Sequence, residues 1–310
     1  MDIKHTLKNS SNAPLALTIG NFDGVHIGHQ AILNRLVTTA QENHLLPAAM
    51  TFSPHARALF QNCRNYLITG DTEKAELIAG CGIQQLYQIP FDRAFSRIEA
   101  DEFIDLLIRQ LNIRYLLVGD DFRFGHRGEG DFDLLVSKCQ PHGIVVTHTP
   151  TIFYNGRRVS SSRVREAIRQ ADCLSVEALL GRPLSYRGKV IPGRKLGRMI
   201  AFPTANMRLP DRRLLPDGVF AVRVSIAGDK TVYYGMCNIG YKPTVDDSQT
   251  RQIETHLFDF CQTLYGQVIT VEPIKKIRDE QTFDSVEALI EQLHRDQTNS
   301  QAVLATHGYI

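Results

Sequence analysis

The order of strand and helix signals changes near residue 182, and this change limits the folds open to the chain. Before it, short apolar runs such as LALTI (15–19) and AAMTF (48–52) alternate with helical patterns such as HQAILNRLVTTAQEN (29–43). After about residue 184, strand signals separated by Gly, Pro and Asp dominate, until a C-terminal segment carries apolar residues at helical spacing. Two domains of different class are therefore predicted, over residues 1–182 and 183–310.

Each half predicts its own architecture. Apolar strands that alternate with helices indicate a parallel sheet covered on both faces, so the first domain is expected to be α/β and Rossmann-like. Closely spaced strands with turn residues between them indicate an antiparallel barrel or sandwich, and we expect a small barrel followed by a C-terminal helix. Because ligands bind beyond the carboxyl ends of parallel strands, the segments after Ile19, Phe52 and Val118 should surround one crevice.

Composition excludes several classes of protein. The net charge of +2 is too small to favour nucleic acid as a partner, and no apolar run approaches the ~18 residues of a membrane span. The N-terminus lacks the apolar core of a signal peptide. The six cysteines are far apart and form no CxxC pair, which argues against zinc and against a disulfide framework. We expect a cytoplasmic monomer or weak homo-oligomer with small-molecule partners.

The segment GNFDGVHIGH (20–29) follows the first predicted strand and opens a helix. The glycines allow a ligand close to the backbone, and the helix start offers free N–H groups to an anion. His26 and His29 are spaced so that they share one helical face, where two imidazoles suit a phosphate that gains charge as a bond to it breaks. Metal ligation by these histidines alone is less favoured, because HxxH lacks the spacing and the glutamate of HExxH.

Two later segments could complete this crevice. The run VGDDFRFG (118–125) follows a predicted strand and supplies two aromatic side chains and an arginine. The run SSSRVR (160–165) opens a predicted helix, where serines and arginines could bind a second anion. An ordinary capped helix explains the second run equally simply.

The motifs GNFDGVHIGHQ, TFSPH, VGDDFRFGHRGEGD and SSSRVREAI together resemble the nucleotidyltransferase module of the prokaryotic bifunctional riboflavin kinase/FAD synthetase family. The resemblance covers residues 15–170. It implies that His26 and His29 contact the ATP phosphates and assist attack of FMN on the α-phosphate. The nucleotide-binding residues that it implies are Asn21, Phe22, Asp23, Gly24, Gly28, Ser161, Ser162 and Arg163. The flavin-binding residues that it implies are Pro54, Asp120 and Phe122.

A second group of polar residues lies in the C-terminal half. The basic loop GRKLGR (193–198) leads into FPTAN (202–206), where oxygen ligands from Thr204 and Asn206 would suit Mg²⁺ on ATP phosphates. In QIETHLF (252–258), alternation places Glu254 and His256 on one face of a strand, where a carboxylate could accept a proton from a hydroxyl. Read alone, the first run is a polar loop and the second an exposed edge strand.

The motifs GRKLGRMIAFPTANM, GVFAV, NIGYKPTV and ETHLFDF resemble the riboflavin kinase module over residues 184–307. The resemblance implies that Thr204 and Asn206 bind Mg²⁺ and ATP, and that Glu254 is the general base for the 5′-hydroxyl of riboflavin. It also implies a nucleotide-covering loop that includes Gly193, Lys195 and Gly197. Mg²⁺ is the expected cofactor and ATP the co-substrate, with riboflavin, FMN and FAD as substrates or products.

Three functional hypotheses follow. The first is a bifunctional enzyme that converts riboflavin to FMN and then FMN to FAD. The second is a nucleotidyltransferase for another acceptor whose β domain only binds a ligand, and the FPTAN and ETHLFDF motifs argue against it. The third is a non-catalytic flavin-binding protein, which the complete set of His26, His29, Thr204, Asn206 and Glu254 makes less favoured.

Overall fold

The computed structural model describes residues 1–8, 13–60, 64–193, 197, 200–210, 212–242 and 250–309. The chain divides into two compact units, one formed by residues 1–63 and 67–161, the other by residues 64–66 and 162–310. The contact boundary therefore falls at the start of a helix, before the boundary at 182 that the sequence suggests. Each unit has its own sheet.

Six parallel strands form the sheet of the first unit. They are β1 (Asp2–Lys4), β2 (Leu15–Ile19), β3 (Leu46–Ser53), β4 (Gln85–Pro90), β5 (Ile113–Gly119) and β6 (Val145–Thr149). Their spatial order is β1-β4-β3-β2-β5-β6. The helices are α1 (Ile27–Glu42), α2 (Asp71–Gly80), α3 (Ala100–Gln110) and α4 (Phe132–Cys139).

Alternate residues of β2 enter two different cores, which shows that the sheet is covered on both faces. Leu15 and Leu17 pack in a cluster with Phe103 of α3 and Leu135 of α4. Ala16, between them, packs in a second cluster with residues of α1 and α2. The predicted Rossmann-like architecture is thus confirmed, although the short elements β1 and α4 carry too few residues for a periodic signal.

Residues 153–180 leave the main sheet. A two-stranded hairpin of β7 (Phe153–Tyr154) and β8 (Arg157–Arg158) turns at Asn155 and Gly156, whose φ angles are 49° and 69°. Two positive φ values suit the tight turn of a two-residue hairpin. The helices α5 (Ser161–Arg169) and α6 (Cys173–Leu180) follow. Gly181, with φ 68°, ends α6 in the left-handed conformation common after helices.

The second unit contains a closed antiparallel barrel, which confirms the small barrel expected from the sequence. Its strands are β9 (Tyr186–Ile191), β10 (Ala205–Arg208), β11 (Gly218–Ile226), β12 (Val232–Lys242), β13 (Thr250–Leu257) and β14 (Val268–Arg278). Their order is β10-β13-β12-β11-β14-β9, and pairing of β9 with β10 closes the ring. The C-terminal helix is α7 (Val286–Thr306).

A buried ion pair fixes α7 to the barrel. Asp296, which is 1% exposed, accepts two hydrogen bonds from the Arg278 guanidinium at the end of β14, Nε to Oδ1 at 2.9 Å and Nη2 to Oδ2 at 2.7 Å. Gln292 donates to the same carboxylate at 2.9 Å. Further along α7, Leu304 is fully buried in a cluster with Phe202.

Residues 64–66 belong to the barrel unit although they lie far from it in sequence. The Asn65 side-chain oxygen accepts hydrogen bonds from the Leu215 amide at 2.9 Å and from Nη1 of buried Arg251 at 2.7 Å. The Arg165 guanidinium stacks 3.9 Å from the centre of the Tyr66 ring. These contacts hold the tripeptide in the second unit.

All five cysteines within the described residues carry free thiols: Cys81, Cys139, Cys173, Cys237 and Cys261. Burial raises the pKa of Cys139 and of Cys173 to about 11 and also raises that of Cys237. These three thiols are therefore protonated at neutral pH and poor nucleophiles. Across the same residues, no helix combines the length and apolar character needed to cross a bilayer.

The ion pair of α7 gives a test of the fold. Asp296→Ala should lower the free energy of unfolding of the barrel unit by about 3–5 kcal/mol, because the Arg278 guanidinium would remain largely buried without its carboxylate. Glu291→Ala removes an exposed pair with Arg295 on the same helix and should change stability by less than about 0.5 kcal/mol. Hydrogen exchange of peptides from β14 and α7 measures both, and equal losses would contradict the assignment.

Candidate active sites

A strained turn joins β2 to α1. Phe22, Gly24 and Val25 have positive φ angles of 48°, 87° and 39°. For the two non-glycine residues this conformation costs about 1–3 kcal/mol each, so the surroundings must impose it. Phe22 and Val25 are 2% and 1% exposed, and their burial in the core under α1 offsets the strain.

Asp23 braces this turn. Its Oδ1 accepts hydrogen bonds from the amides of Ile68 and Thr69, both at 3.0 Å, and from the Thr69 hydroxyl at 3.2 Å. The same hydroxyl accepts from the Gly24 amide at 3.0 Å. The carboxylate thus serves the backbone of the turn, while its contact with a nucleotide stays a prediction.

His26 and His29 stack on one another at the start of α1. Their ring centres are 3.6 Å apart with a 14° angle between the planes. His26 is the N-cap residue, and its Nδ1 accepts from the His29 amide at 3.2 Å. The edge of the Phe22 ring meets His29 at 5.2 Å. A Cβ at Gly28 would lie 3.2 Å from the His26 ring, so Gly28 keeps room for the imidazole.

The start of α5 contacts the same turn. The Ser161 hydroxyl donates to the Asp23 carbonyl at 2.9 Å, which places this serine beside the turn of the first unit. Ser162 and Arg163 follow in α5 and fall in the second unit. On the other side, the Thr51 hydroxyl donates to the Asn21 carbonyl at 3.0 Å and fixes the end of β2 against β3.

An aromatic cleft of about 560 Å³ opens at the carboxyl edge of the parallel sheet. Ile19 and Asn21 after β2, Phe52 of β3 and Phe122 after β5 line it, which agrees with the crevice expected from the strand order. Seven phenylalanines contribute to its walls: Phe52, Phe60, Phe91, Phe95, Phe103, Phe122 and Phe124. Phe91 and Phe95 had no signal in the sequence, because they lie outside the strands and α-helices whose periodicity could place them.

Two predicted flavin residues lie outside the lining of this cleft. Pro54 is exposed just after β3. Asp120 accepts a hydrogen bond from the Thr151 hydroxyl and pairs with Arg158 at 3.6 Å. Asp121 pairs with the same guanidinium at 2.5 Å. The two carboxylates therefore tie the loop that carries Phe122 to the β7–β8 hairpin.

A buried lysine supports the end of β3. Lys74, 4% exposed, donates to the Phe52 carbonyl at 3.2 Å and lies 3.5 Å from the Asp71 carboxylate. Burial lowers the pKa of Lys74, and the nearby carboxylate of Asp71 opposes that shift. The Ser53 hydroxyl donates to Asp71 at 2.5 Å. The first turn of α2 thus holds the backbone beside the cleft.

In the second unit, three adjacent strands bring the predicted kinase residues into one row. Asn206 of β10 is opposite Glu254 of β13, which in turn is opposite Asn238 of β12. Asn238 donates to the Glu280 carboxylate at 2.9 Å. Asn238 lies within the motif NIGYKPTV, whereas Glu280 had no signal in the sequence.

Thr204 and Asn206 face one another. The Asn206 Nδ2 group donates to the Thr204 hydroxyl at 3.3 Å and lies 3.4 Å from the Thr204 carbonyl. The Asn206 Oδ1 atom is buried and accepts no hydrogen bond from the described residues. A buried amide oxygen without a donor is costly, and a cation or a ligand donor would remove that cost.

Two cavities meet at Thr204. One, of about 320 Å³, is lined by Glu254, His256, Phe202 and residues of α7. The other, of about 440 Å³, lies over Ala205, Thr255 and the segment 260–265. His256 donates from Nδ1 to the Pro203 carbonyl at 2.9 Å, which fixes its ring in the wall of the first cavity.

The predicted nucleotide-covering loop is described only in part. Gly193 approaches the Asn206 side chain so closely that a Cβ would lie 2.5 Å from its Nδ2. A Cβ on Gly197 would collide with the Phe202 carbonyl, and the Gly197 carbonyl accepts from the Phe202 amide at 2.8 Å. Lys195 lies outside the described residues.

Among the residues that the structure describes, no group of three or more His, Cys, Asp and Glu side chains could hold a metal ion.

Comparison with protein families matches both halves of the chain. The family model for FAD synthetase matches residues 8–163, and the model for riboflavin kinase matches residues 180–304. The bifunctional riboflavin kinase/FMN adenylyltransferase of Escherichia coli (strain K12) is 40% identical over 299 residues, which cover 96% of this chain and 95% of that protein. The enzyme of the same name from Bacillus subtilis (strain 168) is 36% identical, with coverage of 94% and 93%.

A solved structure shares the whole fold. A crystal structure described as a macrolide-efflux protein from Streptococcus pneumoniae superposes with a TM-score of 0.85 at 30% sequence identity, covering 96% of this chain and 98% of that one. Both family matches and the near full-length similarity to curated enzymes show that the chain belongs to the bifunctional riboflavin kinase/FMN adenylyltransferase family and carries both activities.

Proposed function

We propose that residues 1–182 transfer the adenylyl group at the His26–His29 pair, and that residues 183–310 phosphorylate riboflavin beside Glu254. The supporting observation is that each unit has its own cavity next to its own predicted catalytic side chains. The aromatic cleft includes Asn21 of the strained turn that leads to the histidines, and the smaller barrel cavity contains Glu254 and Thr204.

In adenylyl transfer, a phosphate oxygen of FMN attacks the α-phosphorus of ATP and pyrophosphate leaves. Negative charge grows on the phosphate oxygens as the bond to the leaving group breaks. The two imidazoles and the backbone amides at the start of α1 donate hydrogen bonds to those oxygens. Fixed stacking of the rings means that little reorganisation is needed when the charge appears. Gly24 and Gly28 keep the phosphate path open.

The remaining residues at this site have supporting roles in the proposal. Ser161, Ser162 and Arg163 at the start of α5 bind phosphate oxygens, because hydroxyl and guanidinium donors suit a polyanion. Asn21, Phe22 and Asp23 form the turn that faces the nucleotide.

The aromatic cleft receives the isoalloxazine ring of FMN. Phenylalanine walls bind a flat ring by stacking and edge contacts, and Phe122 stacks on Phe124 at 5.5 Å within that wall. Asp120 contributes by holding the loop of Phe122 through Thr151 and Arg158. Pro54 borders the flavin from the exposed end of β3.

In the kinase reaction, the 5′-oxygen of riboflavin attacks the γ-phosphorus of ATP and ADP leaves. Glu254 accepts the proton of the attacking hydroxyl. The cavity beside Glu254 has Phe202, Phe283 and Leu293 in its wall and takes the flavin ring. The cleft over Thr255 takes ATP. Thr204 lines both cavities, as required of a residue at the point where the phosphoryl group passes from ATP to riboflavin.

Thr204 and Asn206 are the proposed Mg²⁺ ligands of the kinase site. The buried Asn206 Oδ1 accepts no hydrogen bond from the described residues, and oxygen ligands match the preference of Mg²⁺. When bound, the ion would neutralise charge on the ATP phosphates. Gly193, Lys195 and Gly197 belong to the loop proposed to cover the ATP phosphates.

The cytoplasmic location and the monomeric or weakly oligomeric state stay predictions, which cell fractionation and light scattering can check.

Glu254→Gln should reduce kcat for FMN formation by at least about 100-fold, because the amide cannot accept the proton of the hydroxyl. FAD formation from supplied FMN should be unchanged. Chromatography of flavins after incubation with ATP measures both steps. Glu287→Gln, exposed at the start of α7, is the matched control. Full kinase activity in Glu254→Gln would contradict the assignment, as would loss of both steps in a folded variant.

His29→Ala should give the reverse result, with FAD formation reduced by about 100- to 1000-fold through loss of a donor to the transition state. FMN formation should be retained. His26→Asn separates two roles of His26, because asparagine can still cap α1 while the imidazole is lost. If His26→Asn restored the activity that His26→Ala loses, the ring of His26 would act only as a helix cap.

Asn206→Ala should raise the Mg²⁺ concentration needed for half-maximal kinase activity several-fold, because one oxygen ligand is lost. The rise in Tm that Mg²⁺ and ADP produce together should shrink as well, since ligand binding stabilises the folded state in proportion to its affinity. Asn299→Ala, exposed on α7, is the control. Identical magnesium titrations for Asn206→Ala and the native chain would remove Asn206 from the metal site.

A further inference from the structure

The loop after Phe122 is closed and tightly packed. Phe124 and Gly130 exchange backbone hydrogen bonds, Phe124 N to Gly130 O at 3.2 Å and Gly130 N to Phe124 O at 2.9 Å. Gly125 has φ 76°, and a Cβ there would lie 2.6 Å from the Ala100 Cα atom. A Cβ on Gly130 would lie 2.6 Å from the Phe124 ring. The loop is therefore fixed against α3.

His126 sits inside this loop and lines the aromatic cleft. Its Nδ1 atom is buried and has no hydrogen-bond partner among the described residues. Leaving a buried polar atom unpaired costs about 1–3 kcal/mol, so a ligand that supplies the missing partner recovers that free energy. The loop backbone is fixed, but the imidazole can rotate about its Cβ–Cγ bond and turn Nδ1 towards the cleft that the side chain lines.

The walls of the cleft limit the partner. Seven phenylalanines offer flat apolar surfaces and no hydrogen bonds. They therefore select for a planar ring but do not distinguish the polar groups along its edges. The isoalloxazine ring has an apolar dimethylbenzene end and a pyrimidine end, where N3–H lies between two carbonyl groups. An imidazole nitrogen can accept from that N–H or, in the other tautomer, donate to a carbonyl oxygen.

We propose that His126 Nδ1 hydrogen-bonds the pyrimidine edge of the isoalloxazine ring and thereby sets the orientation of FMN in the cleft. This assignment rests on the proposed location of FMN in the aromatic cleft. It makes His126 a specificity-determining residue for the adenylyltransferase reaction. The phenylalanines contribute affinity for the ring faces, and His126 distinguishes one end of the ring from the other.

The test compares FMN with N3-methyl-FMN as substrates of FAD formation. The methyl group removes the N3 donor and blocks the edge, so the native chain should show a KM about tenfold higher for N3-methyl-FMN. His126→Phe keeps a flat ring but has no nitrogen. It should raise KM for FMN about 5- to 20-fold, the effect of one buried hydrogen bond, and leave kcat and the KM for ATP within about twofold.

The methyl penalty should largely disappear in His126→Phe, since two changes that remove the same contact are not additive. His126→Asn returns a polar atom near the position of Nδ1 and should recover part of the affinity for FMN. An unchanged KM for FMN in His126→Phe would overturn the proposal. A methyl penalty of the same size in the native chain and in His126→Phe would overturn it too.

Phe122→Ala separates this proposal from the location of the flavin, with exposed Phe153→Ala as its control. If Phe122→Ala raises KM for FMN and His126→Phe does not, FMN occupies the cleft but His126 does not hydrogen-bond its ring. If neither variant changes KM for FMN, both assignments fail. Conversion of riboflavin to FMN by the same chains, together with thermal unfolding, shows that each variant is folded.

Discussion

The proposed adenylyltransferase site depends on a single carboxylate, Asp23, that holds the backbone of the turn before the two histidines. The Asp23 carboxylate accepts hydrogen bonds from two backbone amides and a hydroxyl in the segment at Ile68 and Thr69. Those bonds hold a turn in which two non-glycine residues have positive φ angles. The stacked imidazoles begin directly after this turn, so their separation and direction follow from the strain that Asp23 helps to impose.

The proposed kinase site depends instead on the position of β13 between β10 and β12. These two partner strands carry Asn206 and Asn238 to either side of Glu254. The register is fixed by fully buried residues such as Ile253 and Ile239, because a one-residue slip would turn them towards the other face. Helix α7 packs against β11, β12 and β14 and is fastened by Asp296.

The sequence predicted what periodicity and local motifs encode. Alternation of apolar strands such as LALTI with helical patterns predicted a covered parallel sheet, and the strand pattern around Glu254 predicted that Glu254 and His256 share one face. It could not predict the partners of Asp23, which are 45 and 46 residues away, or the pairing of Arg278 with Asp296. The expected barrel was confirmed, but the pairing of β9 with β10 that closes it joins distant segments and had no signal in the sequence. The crevice itself was expected from the strand order, but most of the phenylalanines that line it were not, since they come from separate segments.

Residues 64–66 lie within the sequence of the first domain but belong to the folded second unit. Asn65 supplies an acceptor to Arg251, which is 8% exposed, and Tyr66 supplies a ring to Arg165. A fragment that begins after the adenylyltransferase module would therefore lack the Asn65 oxygen that the buried Arg251 guanidinium uses. The barrel module is continuous in sequence, but its folded unit also includes residues 64–66. Recombination between relatives would have to exchange this short segment together with the barrel.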